Sequence, residues 1–281
     1  MKKLSNKKTK WVNQFKPKVL KGTPLPNDVS LEIKVANSLK KLTDSLIKET
    51  EKELSQLFKT NNSKKFFATD ESISSQARII LNALSKKYAS IFLDKGKLIS
   101  EYMVNQANNS SKSQVHNSLK DLSGLSIKTS NTSQRTMEIM KASVSQSVSY
   151  ISSIQERYLT DVEGAVFRSI TSGEGIKDLI PAMQKFGNMS HNKARNLALD
   201  QTRKTTNAIK TQKLKDAGVK KFIWNHSAGG LNPRQRHIDL GGKIFSYDDL
   251  PIIDDSGTRG LPAQAPNCRC FQTPVIEFEE E

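Results

Sequence analysis

Apolar residues spaced three and four positions apart recur through most of this sequence, and such spacing predicts long amphipathic helices. The first stripe starts after Ser30 and contains Leu31, Val35, Leu39, Leu42, Leu46 and Ile47. The second contains Ile79, Ile80, Ala83, Leu84, Tyr88, Ile91, Phe92, Leu98, Ile99 and Tyr102. The third contains Ile139, Met140, Val144, Val148, Ile151, Ile154, Tyr158, Val162 and Val166. We expect these stripes to pack against one another as a helical core.

Residues 105–135 interrupt this pattern because Asn, Ser, Gln and Thr dominate there. Side chains of these types compete for backbone hydrogen bonds and weaken regular structure. We therefore predict a linker or a loosely packed connection near 105–135, together with a domain boundary.

A turn is predicted at residues 172–175, which contain two glycines, and a shorter helix is predicted after it. The two glycines do not indicate a phosphate-binding loop, because no Gly-Lys-Ser or Gly-Lys-Thr follows at the required spacing. Ser190 is predicted to cap a further helix over 191–217 that stops at Gly218. The inward stripe of that helix is small and partly polar, which predicts close packing against another helix. It consists of Ala194, Leu197, Ala198, Gln201, Thr205, Ala208 and Ile209.

Beyond Gly218 the sequence changes to short β-prone runs at 219–224 and 243–245, separated by loops rich in Gly and Pro. The predicted fold class is therefore a mainly α N-terminal body with a smaller, loop-rich C-terminal α+β module. The predicted parts of the chain are a basic arm over 1–30, a helical region over 31–135, a C-terminal domain over 136–275 and an acidic tail over 276–281.

The charge of the chain predicts a polyanionic partner. The formal net charge is +16, from 44 Lys and Arg residues against 28 Asp and Glu residues. Such a field attracts phosphates, and lysines bind them without reading bases, so we predict non-specific contact with double-stranded DNA. Trp11 and Phe15 are interpreted as apolar anchors in the basic arm. The candidate DNA-contact residues are the arm lysines Lys2, Lys3, Lys7, Lys8, Lys10, Lys16, Lys18 and Lys21. The alternative is a solvated, lysine-rich surface with a frayed terminus.

No targeting or membrane segment is expected. The basic start is not followed by the apolar stretch of a signal peptide, and no run of about 18 apolar residues is present. A disulfide between Cys268 and Cys270 would close a small strained ring, so the two cysteines do not indicate a disulfide framework. We expect a soluble protein that is made in a reducing cytoplasm and has no membrane partner.

Four soft or borderline metal ligands lie near the C-terminus, and Zn²⁺ binds four such groups tetrahedrally. A bound ion would connect the loops of a module with little core. We take His237, Cys268 and Cys270 as candidate zinc ligands and His226 as the weakest candidate. The alternative is that the cysteines are buried small hydrophobes and that His237 is a hydrogen-bonded polar residue.

Two arginines near these ligands offer a further role. A guanidinium group presents five donors in a fixed fork, which suits the joining of several loop carbonyls. We therefore expect Arg234, His237 and Arg269 to form a structural hydrogen-bond network that pins the loops.

In this region the sequence resembles the phage Mu F-type head morphogenesis proteins, the minor head protein family. The elements that carry the resemblance are, in chain order, Ala194–Thr206, Ala217–Gly218, Phe222–Trp224, Arg234–His237, Gly242 and Pro266–Cys270. The motif residues are Trp224, Arg234, His237, Gly242, Pro266, Cys268, Arg269 and Cys270. The resemblance covers roughly residues 150–275, so it identifies the predicted domain over 136–275 as a Mu F-like domain. Residues 1–150 carry no motif that we match.

The resemblance implies a minor component of the virion, located in the capsid interior near the portal and needed for head assembly and DNA packaging or delivery. It implies portal, scaffold or capsid protein as partners and synthesis in the bacterial host cytoplasm. We expect no enzymatic activity, because the residues favour neither a nuclease nor a Cys–His hydrolase.

The alternative function is a metal-dependent nuclease or another phosphodiester hydrolase acting on DNA, because several acids follow His237. These acids are Asp239, Asp248, Asp249, Asp254 and Asp255. They lack a recognisable nuclease spacing, and we interpret them as turn residues. A Cys–His hydrolase is also disfavoured, because the cysteines lie in a terminal loop without a helix N-terminus that would lower their pKa.

Overall fold

A computed structural model describes residues 19–63, 72–123, 132–173, 176–229 and 232–277. These ranges contain five helices: α1 (Val29–Ser63), α2 (Ile73–Ser123), α3 (Gln134–Ser172), α4 (Ile176–Asp216) and α5 (Gln235–Leu240). They also contain four strands: β1 (Leu20–Lys21), β2 (Lys221–Asn225), β3 (Ile244–Ser246) and β4 (Phe271–Ile276). The predicted fold class is confirmed, since a helical body precedes a small α+β module.

The helical body is built from α1 to α4, and its core consists mainly of the predicted apolar stripes. The first stripe is buried throughout, from Leu31 to Ile47, and so is the C-terminal half of the third, from Ile151 to Val166. In the second stripe Phe92 is fully buried, whereas the side chain of Ile79 is 57% exposed. Leu98 and Tyr102 of this stripe are also exposed, although they lie in the middle of α2. Three- and four-residue spacing therefore locates the core face of α1 and of the C-terminal half of α3, but only part of the core face of α2.

The linker predicted near 105–135 is wrong for residues 105–123, which continue α2 as regular helix. Val115, Leu119 and Leu122 form an apolar stripe among the polar residues, and all three are buried. Ser111 and Ser118 are buried beside this stripe, where their hydroxyls donate to backbone carbonyls of other segments. Packing against α4 and the N-terminal segment thus outweighs the low helix propensity of the segment.

The helix predicted over 191–217 is longer than expected, because α4 begins at Ile176 and has no break at Ser190. The predicted cap is wrong: Ser190 is buried in the middle of the helix. Gly187 of α4 faces Ile47 of α1, and a Cβ atom at this position would make an ordinary van der Waals contact at 3.4 Å. The predicted stop is confirmed, since Gly218 has a φ of 82° and donates its N–H to the carbonyl of Lys215.

The four strands form one antiparallel sheet in the order β1-β4-β2-β3. The β-prone runs at 219–224 and 243–245 are confirmed as β2 and β3. Neither β4 nor the short helix α5 was predicted. In the register of β2 and β4, Trp224 lies opposite Gln272, which brings the two halves of the sequence motif together.

Residues 19–28 belong to the terminal module, although the sequence places them in a basic arm over 1–30. Leu20 pairs with Ile276, and the N–H of Leu25 donates to the carbonyl of Gln272 at 2.9 Å. Leu25 is 1% exposed and lies in a second apolar core with Val115, Phe222 and Trp224. Residues 1–18 lie outside the described residues. No helix in the described part of the chain is long and apolar enough to cross a membrane.

Candidate functional site

Three side chains that the sequence offers as metal ligands meet in the terminal module. The Nδ1 atom of His237 lies 3.4 Å from the sulfur of Cys268 and 3.7 Å from the sulfur of Cys270. All three residues are at most 4% exposed. We call His237, Cys268 and Cys270 the thiol–imidazole cluster. His226 is not part of it.

His237 is held from both sides. Its Nε2 atom lies 3.0 Å from the carbonyl oxygen of Ile253, and its ring contacts the indole of Trp224 edge-on, with centroids 5.3 Å apart. Because a carbonyl oxygen can only accept, Nε2 must carry the proton in this contact. In the neutral imidazole, Nδ1 then presents a lone pair to the two sulfurs.

The two thiols have opposite pKa shifts. A hydrogen bond from the Cys270 thiol lowers the pKa of Cys268, although burial opposes this shift. That same hydrogen bond, together with burial, raises the pKa of Cys270. The cluster therefore favours one thiolate, on Cys268, beside one thiol.

Backbone and ring N–H groups surround the sulfurs. The backbone N–H of Cys270 favours the thiolate of Cys268, and that of Ser227 favours the thiolate of Cys270. The buried indole N–H of Trp224, which has no oxygen or nitrogen partner, also lowers the pKa of Cys270. These donors stabilise negative charge on sulfur.

The two motif arginines contact loop carbonyls. Arg234 donates from its guanidinium to the carbonyl of Pro266 at 2.9 Å. Arg269 donates to the carbonyl of Gly229, and its own carbonyl accepts from Asn27 at 2.8 Å. The arginines and His237 thus each bind a different loop, with no direct bond between them in the described residues.

Gly242 forms the remaining part of the motif, at a tight turn. Its φ is 78°, a conformation that glycine adopts without strain. Its N–H donates to the carbonyl of Trp224 at 2.8 Å, and the N–H of Trp224 donates to the carbonyl of Lys243 at 3.0 Å. This turn therefore extends the pairing of β2 with β3 and fixes Trp224 beside His237.

The acids that follow His237 do not join the cluster. Asp239 accepts from Gln235, Asp249 pairs with Arg259, and Asp255 pairs with Arg236. The carboxylate of Asp254 accepts two backbone N–H bonds within its own turn, and Asp248 is exposed. Within the described ranges, the thiol–imidazole cluster is the only group of His, Cys, Asp or Glu side chains arranged to hold a metal.

Sequence reasoning missed a buried polar hub at Gln272. This residue belongs to β4, and its side chain is fully buried against α4. Its amide nitrogen donates to Asn207 at 2.9 Å and to Thr211 at 2.8 Å, and its amide oxygen accepts from Tyr247 at 2.7 Å. The partners lie more than 20 residues away, so no local pattern identifies them.

Two buried cations of α4 were also missed. Arg203 binds the carboxylate of Glu32 in α1 through two hydrogen bonds of 2.9 and 2.6 Å. Lys210 donates to the carbonyl of Pro26 at 2.6 Å, and burial lowers its pKa to about 8, against an opposing effect of Asp28. Both cations fasten the start of α1 and the segment before it to α4. Neither residue belongs to the inward stripe predicted for this helix, and their partners lie far away along the chain.

The candidate DNA-contact lysines fall mostly outside the described residues. Lys21 is the exception: it is exposed in β1, opposite Val275. The remaining seven arm lysines, together with Trp11 and Phe15, precede residue 19. The arm prediction therefore stays a prediction.

The described molecule is a helical protein whose terminal module combines a small antiparallel sheet with a buried thiol–imidazole cluster. Residues 160–273 match the model of the family described as Phage Mu protein F like protein. The recognition made from the sequence is confirmed by this match, which covers 160–273. The match relates the protein to structural proteins of the phage head and to head morphogenesis.

Two curated proteins are similar to the chain. An uncharacterized protein of Haemophilus influenzae is 26% identical over 270 residues, which are 95% of this chain and 58% of that protein. The uncharacterized protein YqbB of Bacillus subtilis is 27% identical over 126 residues, which are 41% of each. The chain thus spans less than two thirds of the length of either relative. No solved structure matches it.

Proposed function

We propose that this protein is a minor head protein of a bacteriophage, a structural component of the virion interior near the portal that acts in head assembly and in DNA packaging or delivery. The observation that carries the proposal is the Mu F-like match over residues 160–273. The matched residues supply α4, the strands β2 and β3, the first half of β4 and the whole thiol–imidazole cluster.

The buried site supports a structural role over an enzymatic one. A hydrolytic metal centre needs an open coordination position that substrate can reach, whereas the three cluster residues are at most 4% exposed. The neighbouring carboxylates are held in turns and surface pairs. Because no observation favours the nuclease alternative, we do not propose it.

Charge supports contact with packaged DNA. The formal net charge of +16 attracts phosphates and selects no sequence.

The proposal is tested in phage particles. The protein should be detected by quantitative mass spectrometry in purified virions and proheads, at a copy number well below that of the major capsid protein. Cross-linking of intact proheads should join it to the portal protein. Its absence from both kinds of particle would refute the proposal, and cross-links confined to the outer capsid surface would refute the portal location.

DNA contact is tested with the full-length protein and duplex DNA. Affinity should fall by at least about tenfold between 50 and 200 mM salt, the range over which counterion release weakens such complexes. Replacing Lys2, Lys3, Lys7 and Lys8 with Gln should reduce both the affinity and the salt slope.

The matched control replaces four lysines that pair with carboxylates, namely Lys40, Lys52, Lys87 and Lys221. The change in net charge is the same, so a larger loss in the arm variant assigns the contact to the arm. Equal losses in the two variants would assign binding to net charge alone, and an affinity independent of salt would exclude DNA contact.

A further inference from the structure

The thiol–imidazole cluster joins two parts of the terminal module that are far apart in the chain. His237 lies on α5, whereas Cys268 and Cys270 lie on the loop that leads into β4, more than 30 residues later. The loops between them contain two short β-contacts, β3 with β2 and the bridge between Ile252 and Arg259. The cluster is therefore placed where a cross-link would order the loops.

The atoms of the cluster present more lone pairs than its protons can satisfy. Because Nε2 of His237 carries its proton toward Ile253, Nδ1 is an acceptor that faces two sulfurs at 3.4 and 3.7 Å. A proton can bridge only one pair of these atoms at a time. A divalent cation at the centre would bind all three lone pairs.

The distances fit a zinc ion. Zinc binds cysteine sulfur at about 2.3 Å and histidine nitrogen at about 2.0–2.1 Å, and tetrahedral angles then separate the two ligand atoms by roughly 3.5 Å. The observed separations bracket this value, and all three ligand atoms lie within 4.8 Å of one another.

Groups around the cluster match those that orient zinc ligands. A zinc-binding histidine almost always donates its second N–H to a carboxylate or a backbone carbonyl, as His237 donates to Ile253. Both sulfurs receive backbone N–H groups, from Cys270 and from Ser227. Arg269 lies between the two cysteines in the sequence, but its guanidinium group donates to the carbonyl of Gly229. It therefore does not occupy the position of a cation beside the sulfurs.

We propose that His237 Nδ1, Cys268 Sγ and Cys270 Sγ supply three ligands of one structural Zn²⁺ ion. Two thiolates balance the charge of the ion, so the filled site is neutral and suits a buried position. The ion would cross-link α5 to the 261–270 loop, which leads into the sheet. Part of the free energy of zinc binding would then add to the free energy of unfolding of the module.

Metal analysis of the full-length protein tests the proposal. Protein purified without a metal-affinity step and dialysed against zinc-buffered solution should contain about one zinc ion per chain. When Co²⁺ takes the place of Zn²⁺, the protein should show the thiolate-to-cobalt charge-transfer band. The Cys268→Ser and Cys270→Ser variants should each lose the band and most of the zinc.

Two control variants separate ligand loss from general destabilisation. His226→Gln changes a neighbouring histidine outside the cluster, and Tyr247→Phe removes a buried hydrogen bond of the same module. Both should keep about one zinc ion per chain. Loss of zinc from His226→Gln while Cys268→Ser retains it would overturn the ligand assignment.

A measurement on the unmodified chain covers the case in which the serine variants do not fold. Removing zinc with a chelator should lower the melting temperature by on the order of 10 °C, and adding Zn²⁺ should restore it. The proposal is overturned if melting is the same with and without zinc, or if the intact mass under non-reducing conditions shows a Cys268–Cys270 disulfide. These measurements need no phage particles, so their failure leaves the proposed head function standing.

Discussion

The helical body and the terminal module are stabilised in different ways. The core of the body consists of aliphatic and aromatic side chains from four long helices, such as Leu46, Phe92 and Val162. The module has a smaller apolar core, to which buried polar groups add specific bonds at Gln272 and His237. Apolar contacts are non-directional and tolerate exchange, whereas a buried polar group depends on particular partners. Substitutions between apolar side chains of similar size should therefore cost little in the body, whereas the loss of a buried polar partner should cost more, as in the module.

The largest effect is expected at the buried ion pair between two helices of the body, where Arg203 of α4 binds Glu32 of α1. Both side chains are less than 10% exposed. Arg203→Met leaves the carboxylate of Glu32 buried and unpaired, which should reduce the free energy of unfolding by about 3–5 kcal/mol. Urea denaturation followed by circular dichroism measures this loss.

The double variant Glu32→Leu/Arg203→Met provides the control for this pair. It removes both charges and fills their space with apolar atoms, so it should recover most of the lost stability. A double variant that is no more stable than Arg203→Met would show that packing, and not an unpaired charge, accounts for the loss.

The next largest effect is expected at Gln272. Gln272→Leu preserves the side-chain size but leaves Asn207, Thr211 and Tyr247 without their partner, and it should cost about 2–4 kcal/mol of unfolding free energy. Gln235→Leu makes the same chemical change on the exposed face of α5 and should stay within about 0.5 kcal/mol. Equal losses in the two variants, measured by thermal and urea unfolding, would contradict a special role for the hub.

Lys210 should make the stability of the protein depend on pH. Its pKa is lowered from 10.5 to about 8 in the folded protein, mainly by burial, so between these values the unfolded chain binds more protons than the folded one. The free energy of unfolding should then rise with pH through this window, by about 1.4 kcal/mol per unit. The quantity to measure is the difference between the wild type and Lys210→Met from pH 7 to pH 10.

That difference should be flat below about pH 8 and should grow above it in favour of the wild type. Lys97→Met, a change of an exposed lysine on α2, gives the reference curve. A wild-type advantage that shrinks above pH 8 would mean that the charged form of Lys210 stabilises the fold.

The sequence predicts the body better than the module, and the reason is the range of the interactions. Leu31 to Ile47 repeat at helical spacing, so the buried face of α1 follows from neighbouring residues. The continuation of α2 to Ser123 was not predicted, because Val115 and Leu119 are diluted among polar residues and are buried by segments far along the chain. Pairing of Leu20 with Ile276, and of Arg203 with Glu32, has no local signal at all.

The candidate site could be predicted in part: its residues follow from the sequence, but their hydrogen-bond partners do not. The spacing of Cys268 and Cys270 and the presence of His237 identified three side chains that do meet, because thiol and imidazole groups are rare in this sequence. The partner of His237, the carbonyl of Ile253, could not be predicted, since any of the loop carbonyls would serve equally well. The separation of His226 from the cluster likewise depends on the turn at Gly242 and on the position of α5.

The smallest effect is expected in the body, where Leu46 is fully buried among apolar side chains. Leu46→Met keeps the volume and apolar character of the side chain and should cost less than about 1.5 kcal/mol, because a flexible thioether adapts to the available space. Leu46→Ala, which leaves a cavity, should cost about 2–5 kcal/mol and shows that the position is sensitive to volume. Urea denaturation of the three proteins measures both changes. If Leu46→Met were as costly as Gln272→Leu, the core of the body would depend on particular shapes as strongly as the module depends on particular hydrogen bonds, and the contrast between the two regions would disappear.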